Sequence, residues 1–195
     1  MRKLLLIACI ALAAIPLAFA DSNPLTIRAI VPIDFGAAQY SDSSANSGWF
    51  GTNAGVGVGA EGMYDVFGGL NVGVGAQYLF NREMSDNTDA TFGYVPLYGL
   101  IAYKLDLGLV SPYAISRIGY GFAVANDTYE NGASLTGGFY FTIGGGATVN
   151  IPNTPVGVFA EGNYALDDST LSNNGTDVHR AYGRFDLSAG LSVSL

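Results

Sequence analysis

Cysteine is almost absent from this chain, and the single one, Cys9, lies inside an apolar leading segment. The segment begins with two basic residues and ends in the small-x-small triplet AFA, a pattern typical of a secretory signal peptide. We therefore predict that residues 1–20 are a signal peptide cleaved after Ala20. The mature chain, residues 21–195, then has no thiol, which excludes disulfides and cysteine metal sites.

Positive charge is also scarce, since 6 basic residues face 16 acidic ones after residue 20. A strongly acidic exported chain is a poor candidate for nucleic-acid binding. Long apolar runs are missing as well, because no stretch after residue 20 offers the roughly 20 unbroken apolar residues of a membrane helix. Yet 49% of the chain is hydrophobic. Apolar composition without such a run is typical of a membrane β-barrel, whose strands expose only alternate residues to lipid.

The clearest pattern in the sequence is the period-two alternation of residues 184–195. One face of this segment is apolar and the other is polar, as in a strand that separates two environments. The apolar face contains Phe185, Leu187, Ala189, Leu191, Val193 and Leu195. Since no later element covers the edge of this strand, we expect it to pair with the first predicted strand at residues 27–35 and to close a barrel.

Seven further segments alternate in the same way, so the sequence predicts an all-β fold, an eight-stranded antiparallel up-and-down transmembrane β-barrel. The predicted strands are residues 26–38, 50–64, 70–80, 92–105, 112–124, 139–151, 156–164 and 180–195. Short connections between them alternate with long polar loops at residues 40–48, 81–91, 125–135 and 167–179. This alternation is expected when one end faces the periplasm and the other faces the outside.

The predicted inward face carries glycines and a set of charges. An eight-stranded barrel is just wide enough for side chains to fill it, so glycines make room for large inward residues. The charges predicted to point inward are Arg28, Asp34, Glu61, Arg117, Glu161, Arg184 and Asp186. They must be paired or hydrated, because an isolated buried charge costs several kcal/mol. Two interpretations stay open: a salt-bridge network that plugs the barrel, or a gated path for protons, ions or small solutes.

The long loops are acidic, and Arg82 is their only clear opposing charge. Their acidic residues are Asp42, Glu83, Asp86, Asp89, Asp127, Glu130, Asp167, Asp168 and Asp177. These residues are either a solvated surface or a surface that favours divalent cations or basic host or envelope partners.

Aromatic residues near the strand ends are predicted to face lipid as interfacial girdles. The predicted girdle residues are Tyr64, Tyr78, Phe80, Tyr94, Tyr120, Phe122, Phe139 and Tyr164. Any half-buried sheet is enriched in aromatic residues, so this pattern only supports the barrel.

Over residues 25–195 the chain resembles the small OmpA-type and OmpX-type outer-membrane barrels. The resemblance rests on Tyr103 closing the fourth strand, Pro112-Tyr113 leading to Gly119-Tyr120-Gly121, Ala160-Glu161-Gly162-Asn163-Tyr164 and the terminal amphipathic strand. It implies an outer-membrane location, contact with outer-membrane lipid, assembly by the outer-membrane insertion machinery and a structural or surface-contact, adhesin-like role. The alternatives are a narrow porin or transporter for small solutes and an outer-membrane barrel enzyme.

The terminal strand is the expected insertion signal of such a barrel. The residues that would form this signal are Phe185, Leu187, Leu191, Val193 and Leu195. The chain departs from the family pattern here, because it ends in Leu195 where the family usually ends in Phe.

The sequence contains no complete catalytic set. Asp177 and His179, the only histidine, have a spacing that resembles part of the omptin protease site, which needs a second acidic pair and a larger barrel. Lipid A deacylases use His-x-Ser, whereas Arg180 and Ala181 follow this histidine. The Gly-x-Gly runs lie inside predicted strands and precede no helix, so they are packing glycines rather than phosphate loops. We therefore predict no enzyme activity, no cofactor and no metal site.

Overall fold

The fold is a closed antiparallel β-barrel with eight strand positions around its wall. A computed structural model describes residues 25–42, 47–85, 89–126, 133–173 and 175–195. The predicted signal peptide with Cys9, and the predicted loop residues Asp86, Asp127 and Glu130, lie outside the described residues. Cleavage after Ala20 therefore stays a prediction.

Within the described residues, nine strands build the wall, and every neighbouring pair is antiparallel. They are β1 (Leu25–Asp42), β2 (Ser47–Gly51), β3 (Gly55–Phe67), β4 (Leu70–Glu83), β5 (Thr91–Lys104), β6 (Val110–Ala125), β7 (Ser134–Asn150), β8 (Val156–Asn173) and β9 (Thr176–Ser194). β2 and β3 pair with successive parts of the same edge of β1, so together they occupy one strand position. The predicted eight-stranded barrel is confirmed, with its second strand divided in two at residues 52–54.

The terminal strand closes the barrel. β9 pairs with β1 from Thr26↔Ser194 to Asp42↔His179, with an irregularity in register between Phe35 and Ala38. The backbone N–H of Leu195 donates to the carbonyl oxygen of Leu25 at 2.7 Å, so the pairing reaches the last residue. The predicted pairing of this strand with residues 27–35 is confirmed, and it removes the free edge.

Side chains on the wall alternate between an apolar outer face and a polar inner face. On β9, Phe185, Leu187 and Leu191 are 54–55% exposed on the outside, whereas Arg184 and Asp186 are buried inside. An apolar exposed surface around a closed sheet is the surface that lipid covers in a transmembrane barrel. Within the described residues, no helix has the length and apolarity needed to cross a membrane.

The short connections lie at one end of the barrel, beside Leu25 and Leu195. Gly68 and Gly69 turn the chain from β3 to β4 with φ angles of 54° and 90°, a backbone region that favours glycine. Residues 105–109 and 151–155 make the other two short connections. Short turns are typical of the periplasmic side of such barrels, so we name this the periplasmic end and the opposite one the outer end.

The outer end contains more strand than the sequence pattern predicts. Residues 167–179, predicted as a loop, are strand almost throughout, because β8 and β9 stay paired as far as Asn173↔Thr176 around Gly175. We name the paired residues 168–173 and 176–181 the outer ribbon. The prediction was wrong because a polar stretch resembles a loop, whereas the backbone hydrogen bonds of a ladder do not require an apolar face.

Candidate functional site

The seven charges predicted to point inward all lie inside the barrel. Their exposed fractions are at most 5%: Arg28 3%, Asp34 1%, Glu61 2%, Arg117 1%, Glu161 3%, Arg184 0% and Asp186 5%. They do not form a single network. The structure divides them between a cluster toward the periplasmic end and a cluster toward the outer end, and it adds two charges to the second.

The cluster nearer the periplasmic end is a closed ring of four charges, Arg28, Glu61, Arg117 and Glu161, which we name the four-charge ring. Glu61 contacts Arg28 at 3.1 Å and Arg117 at 2.5 Å. Glu161 contacts both guanidinium groups at 2.7 Å. Each charge therefore has two opposite charges as neighbours, and the ring is formally neutral. The attraction between these opposite charges offsets the free-energy cost of removing four ions from water.

The ring reaches across the lumen. Arg28 lies on β1 and Arg117 lies on β6, which is four strand positions away and so on the opposite wall. Their meeting at Glu61 and Glu161 closes the cross-section at this level. An eight-stranded barrel is narrow enough for side chains from opposite walls to touch.

Neutral side chains occupy the remaining hydrogen-bonding positions of the ring. Tyr98 donates to Glu61 at 3.0 Å and Tyr113 donates to Glu161 at 2.8 Å. Asn163 is a second neutral donor to Glu161, at 3.0 Å. Phe159, an apolar residue on the inner face of β8, lies under the Arg28 guanidinium with 3.6 Å between its ring centroid and Cζ. Its inward position is thus explained by a cation–π contact.

The second cluster lies toward the outer end and contains Asp34, Arg82, Asp167, Arg184 and Asp186. Arg184 contacts Asp167 and, at 2.9 Å, Asp186. Arg82 contacts Asp34, and its guanidinium also donates to the Tyr182 hydroxyl at 2.5 Å. Two guanidinium groups thus face three carboxylates, and Arg184 links the two parts through Asp34 at 3.8 Å.

The sequence prediction placed Arg82 and Asp167 in outer loops. The structure corrects it, because both side chains lie inside the barrel. Arg82 is 3% exposed and Asp167 is fully buried. Asp167 keeps the inward parity of Glu161 along β8, and this continued alternation was the available signal. Arg82 turns inward only because the pairing of β4 with β5 shifts register between Leu79 and Arg82, and such a bulge reverses the face of the residues that follow it.

An aromatic layer fills the lumen at the outer end. Tyr182 on β9 meets Phe92 and Tyr94 on β5, with ring centroids 5.3 Å and 5.9 Å apart. β5 and β9 are also four strand positions apart, so this contact spans the barrel a second time. Tyr94, predicted to face lipid, is fully buried in this layer. The prediction was wrong because a tyrosine suits both a lipid interface and a packed interior with a polar partner, here Ser169 at 3.1 Å.

The other predicted girdle residues lie on the outside or at intermediate exposure. Tyr78, Phe80, Tyr120, Phe122, Phe139 and Tyr164 are 41–49% exposed. Tyr120 also donates its hydroxyl to the Gly137 carbonyl oxygen at 2.6 Å. An aromatic ring in lipid with its polar end on the backbone is typical of an interfacial position.

Inward glycines make room for the charged side chains. A Cβ at Gly75 would lie 2.6 Å from the Tyr98 ring and 2.8 Å from Glu61, and one at Gly55 would lie 2.8 Å from both Asp34 and Arg82. Outward Gly62 is different, since nothing lies within 4 Å of the equivalent position. The absence of side chains at Gly55 and Gly75 is therefore part of how the two clusters fit in the lumen.

The residues considered for catalysis do not form a site among the described residues. His179 contacts Asp168 at 3.0 Å on the outer ribbon, and both side chains are partly exposed. Asp177 instead accepts a hydrogen bond from Ser172 at 2.6 Å. In the part of the chain that the structure describes, no group of three or more His, Cys, Asp or Glu side chains is placed to hold a metal ion.

A closed sheet with an apolar outside and a charge-filled lumen defines the class of small transmembrane β-barrels. The family model of the outer membrane protein beta-barrel domain matches residues 5–154, which is most of the chain. The chain therefore belongs to this family and is an outer-membrane β-barrel protein, and its resemblance to small outer-membrane barrels is confirmed.

Solved structures of similar proteins agree on the fold. The outer membrane protein OprG from Pseudomonas aeruginosa is 11% identical, with a TM-score of 0.58 over 89% of this chain and 98% of that one. Neisserial surface protein A is 17% identical, with a TM-score of 0.52 over 88% and 97% of the two chains. No curated protein sequence matches the chain. At these identities the likeness shows the fold alone.

Proposed function

We propose that this protein is a structural outer-membrane barrel whose lumen passes no solute and whose outer end contacts other molecules. The observation that carries the proposal is the double closure of the lumen, by the four-charge ring and by the aromatic layer. Each closure joins opposite walls of the barrel. An ion that passed the ring would have to separate buried pairs from their partners, a change that costs several kcal/mol for each broken pair.

The purified barrel is expected to show no conductance above background in a planar bilayer. The physical reason is that side chains from opposite walls touch at two levels, in the four-charge ring and where Tyr182 meets Phe92 and Tyr94. A general porin in the same bilayer supplies the positive control, and heat-modifiable migration on a gel confirms that the sample is folded. Steady, reproducible channels from the folded protein would overturn this part of the proposal and favour the narrow porin or transporter.

The outer ribbon supports the surface-contact part of the proposal. It continues for six residue pairs beyond the buried pair Asp167↔Tyr182, which corresponds to roughly 20 Å along a strand. Cross-strand contacts hold it, including His179 with Asp168 at 3.0 Å and Ser172 with Asp177 at 2.6 Å. A paired ribbon presents its side chains in a fixed arrangement, which reduces the ordering cost of binding.

Replacing residues 171–178 with a two-residue Asn-Gly turn is expected to abolish adherence of expressing bacteria to a cultured epithelial monolayer. The change removes the outer part of the ribbon and keeps the strand positions that close the lumen. The shortened variant should still show heat-modifiable migration, which separates lost contact from failed assembly. Adherence equal to that of the unchanged protein would remove the surface-contact role.

We further infer how the chain reaches the membrane. Removal of residues 1–20 after Ala20 and recognition of the terminal strand by the outer-membrane insertion machinery are the expected steps. The proposed recognition residues are Phe185, Leu187, Leu191 and Val193, which alternate along β9, and Leu195, which follows it directly. We propose no catalytic role, because the sequence contains no complete catalytic set around His179 and its partner Asp168 on the outer ribbon.

A further inference from the structure

A cavity lies at the periplasmic end of the barrel, and the two closures of the lumen do not depend on it. It opens beside the short turns, and its empty volume, counted together with the open space at its mouth, is about 460 Å³. We name it the periplasmic vestibule. Arg28 of the four-charge ring is part of its lining, and its wall is mixed: apolar surface comes from residues such as Met63 and Ala102, and polar groups come from Asn71, Lys104, Thr148, Asn150 and Ser192.

The charge of the vestibule is opposite to that of the protein. Within the described part of the chain, no carboxylate side chain lines it, although the whole chain carries a formal net charge of −8. The Arg28 guanidinium is balanced by Glu61 and Glu161. The uncompensated charge of the wall is therefore that of Lys104, the sole lysine after residue 20.

The ammonium group of Lys104 makes no hydrogen bond or ion pair with the residues that the structure describes. The acidic residue next along the chain, Asp106, does not supply a partner. Its carboxylate accepts the N–H of Gly108 at 3.0 Å and the hydroxyl of Ser111 at 3.4 Å, which keeps it in its own turn. An ammonium on the wall of a concave site without carboxylates favours an anion.

The vestibule is also lined by two residues with hydroxyl groups, Thr148 and Ser192. Thr148 and Ser192 lie on either side of Gly157, and neither hydroxyl is hydrogen-bonded to the described part of the chain. A Cβ at Gly157 would lie 2.7 Å from Thr148 Cγ2 and 2.8 Å from Ser192 Oγ. A side chain at residue 157 would therefore occupy the space between Thr148 and Ser192. A serine or threonine hydroxyl can both donate a hydrogen bond to a ligand hydroxyl and accept one from it.

We propose that the periplasmic vestibule binds a small hydroxylated anion, with Lys104 holding its carboxylate or phosphate group and Thr148 and Ser192 holding its hydroxyls. The site lies on the periplasmic side of the four-charge ring, so the ligand binds and leaves from the periplasm without crossing the lumen. The vestibule therefore operates whether or not the lumen conducts, and its test is separate from the conductance measurement.

The test is a nuclear magnetic resonance titration of the folded, isotope-labelled barrel with glucuronate, inorganic phosphate and glucose. Glucuronate is expected to shift the backbone amide signals of Thr148 and Ser192. Lys104→Gln should weaken its binding about ten-fold, because a charge-assisted hydrogen bond is lost, while Lys104→Arg should retain it. Arg180→Gln, which removes a cation at the outer end, serves as the matched control and should leave the affinity unchanged.

The three probes separate the ligand chemistries. Stronger binding of glucuronate than of phosphate supports a sugar acid, and the reverse supports a phosphate ester, each with the same dependence on Lys104. Three results would overturn the proposal: amide signals of the vestibule that do not move, an affinity that Lys104→Gln leaves unchanged, or glucose binding as well as glucuronate. Heat-modifiable migration of each variant shows that it is folded.

Discussion

Deleting residues 185–195 is expected to leave an exported chain that does not enter the membrane. The deletion removes the partner of β1 from Thr26 to Phe35 and the partner of β8 from Val156 to Tyr164. Both strands would then present unpaired backbone N–H and C=O groups to lipid, each of which costs several kcal/mol. No rearrangement of the other strands restores this pairing, because the wall has no strand to spare.

The measurement is fractionation of expressing cells followed by gel migration with and without heating. The truncated chain should be found outside the outer-membrane fraction and should migrate identically under both conditions. Leu195→Phe is the matched control, since it keeps the strand and restores the residue with which the family usually ends. Normal insertion of the truncated chain would contradict the closure of the barrel by β9.

Glu61→Gln is expected to lower the free energy of unfolding by about 3–5 kcal/mol. The substitution keeps the shape of the side chain but leaves Arg28 and Arg117 sharing one carboxylate, Glu161, so the ring gains an uncompensated buried charge. It also removes the charged acceptor of the Tyr98 hydroxyl. The value follows from urea unfolding of the barrel in lipid vesicles, with folded and unfolded fractions separated by gel migration.

Two further variants test the reason for this loss. Glu83→Gln is the matched control, because Glu83 is exposed and a surface substitution of this kind changes stability by no more than about 0.5 kcal/mol. Combining Glu61→Gln with Arg117→Met restores a balance of one positive and one negative charge. The double variant should be more stable than the sum of the two single effects. Strict additivity would show that the four charges do not act as a ring.

The barrel itself could be predicted from sequence because its wall imposes a period of two on every strand. One apolar and one polar face, repeated with short and long connections in alternation, leave few other arrangements for the chain. The pairing of the first and last strands followed from the need to remove two free edges. The seven inward charges followed from the same parity, since they share a face with the glycines.

The composition of the clusters could not be predicted in full, for two physical reasons. Arg82 changes face at a β-bulge, and a bulge is set by backbone pairing with β5 rather than by a residue type at that position. Asp167 lies in a stretch so polar that it resembles a loop, although its parity is regular. The division of the charges into two clusters depends on distances across the lumen, which no local pattern contains.

The four-charge ring can form only late in folding. Arg28 and Glu161 are 133 residues apart in the chain, so their contact forms only after nearly all of the strands have been assembled. Contacts between such distant residues make folding slow. Until then these four side chains are hydrated on an open chain, so their burial coincides with the closure of the barrel. Closure of the lumen is therefore one of the last steps of folding.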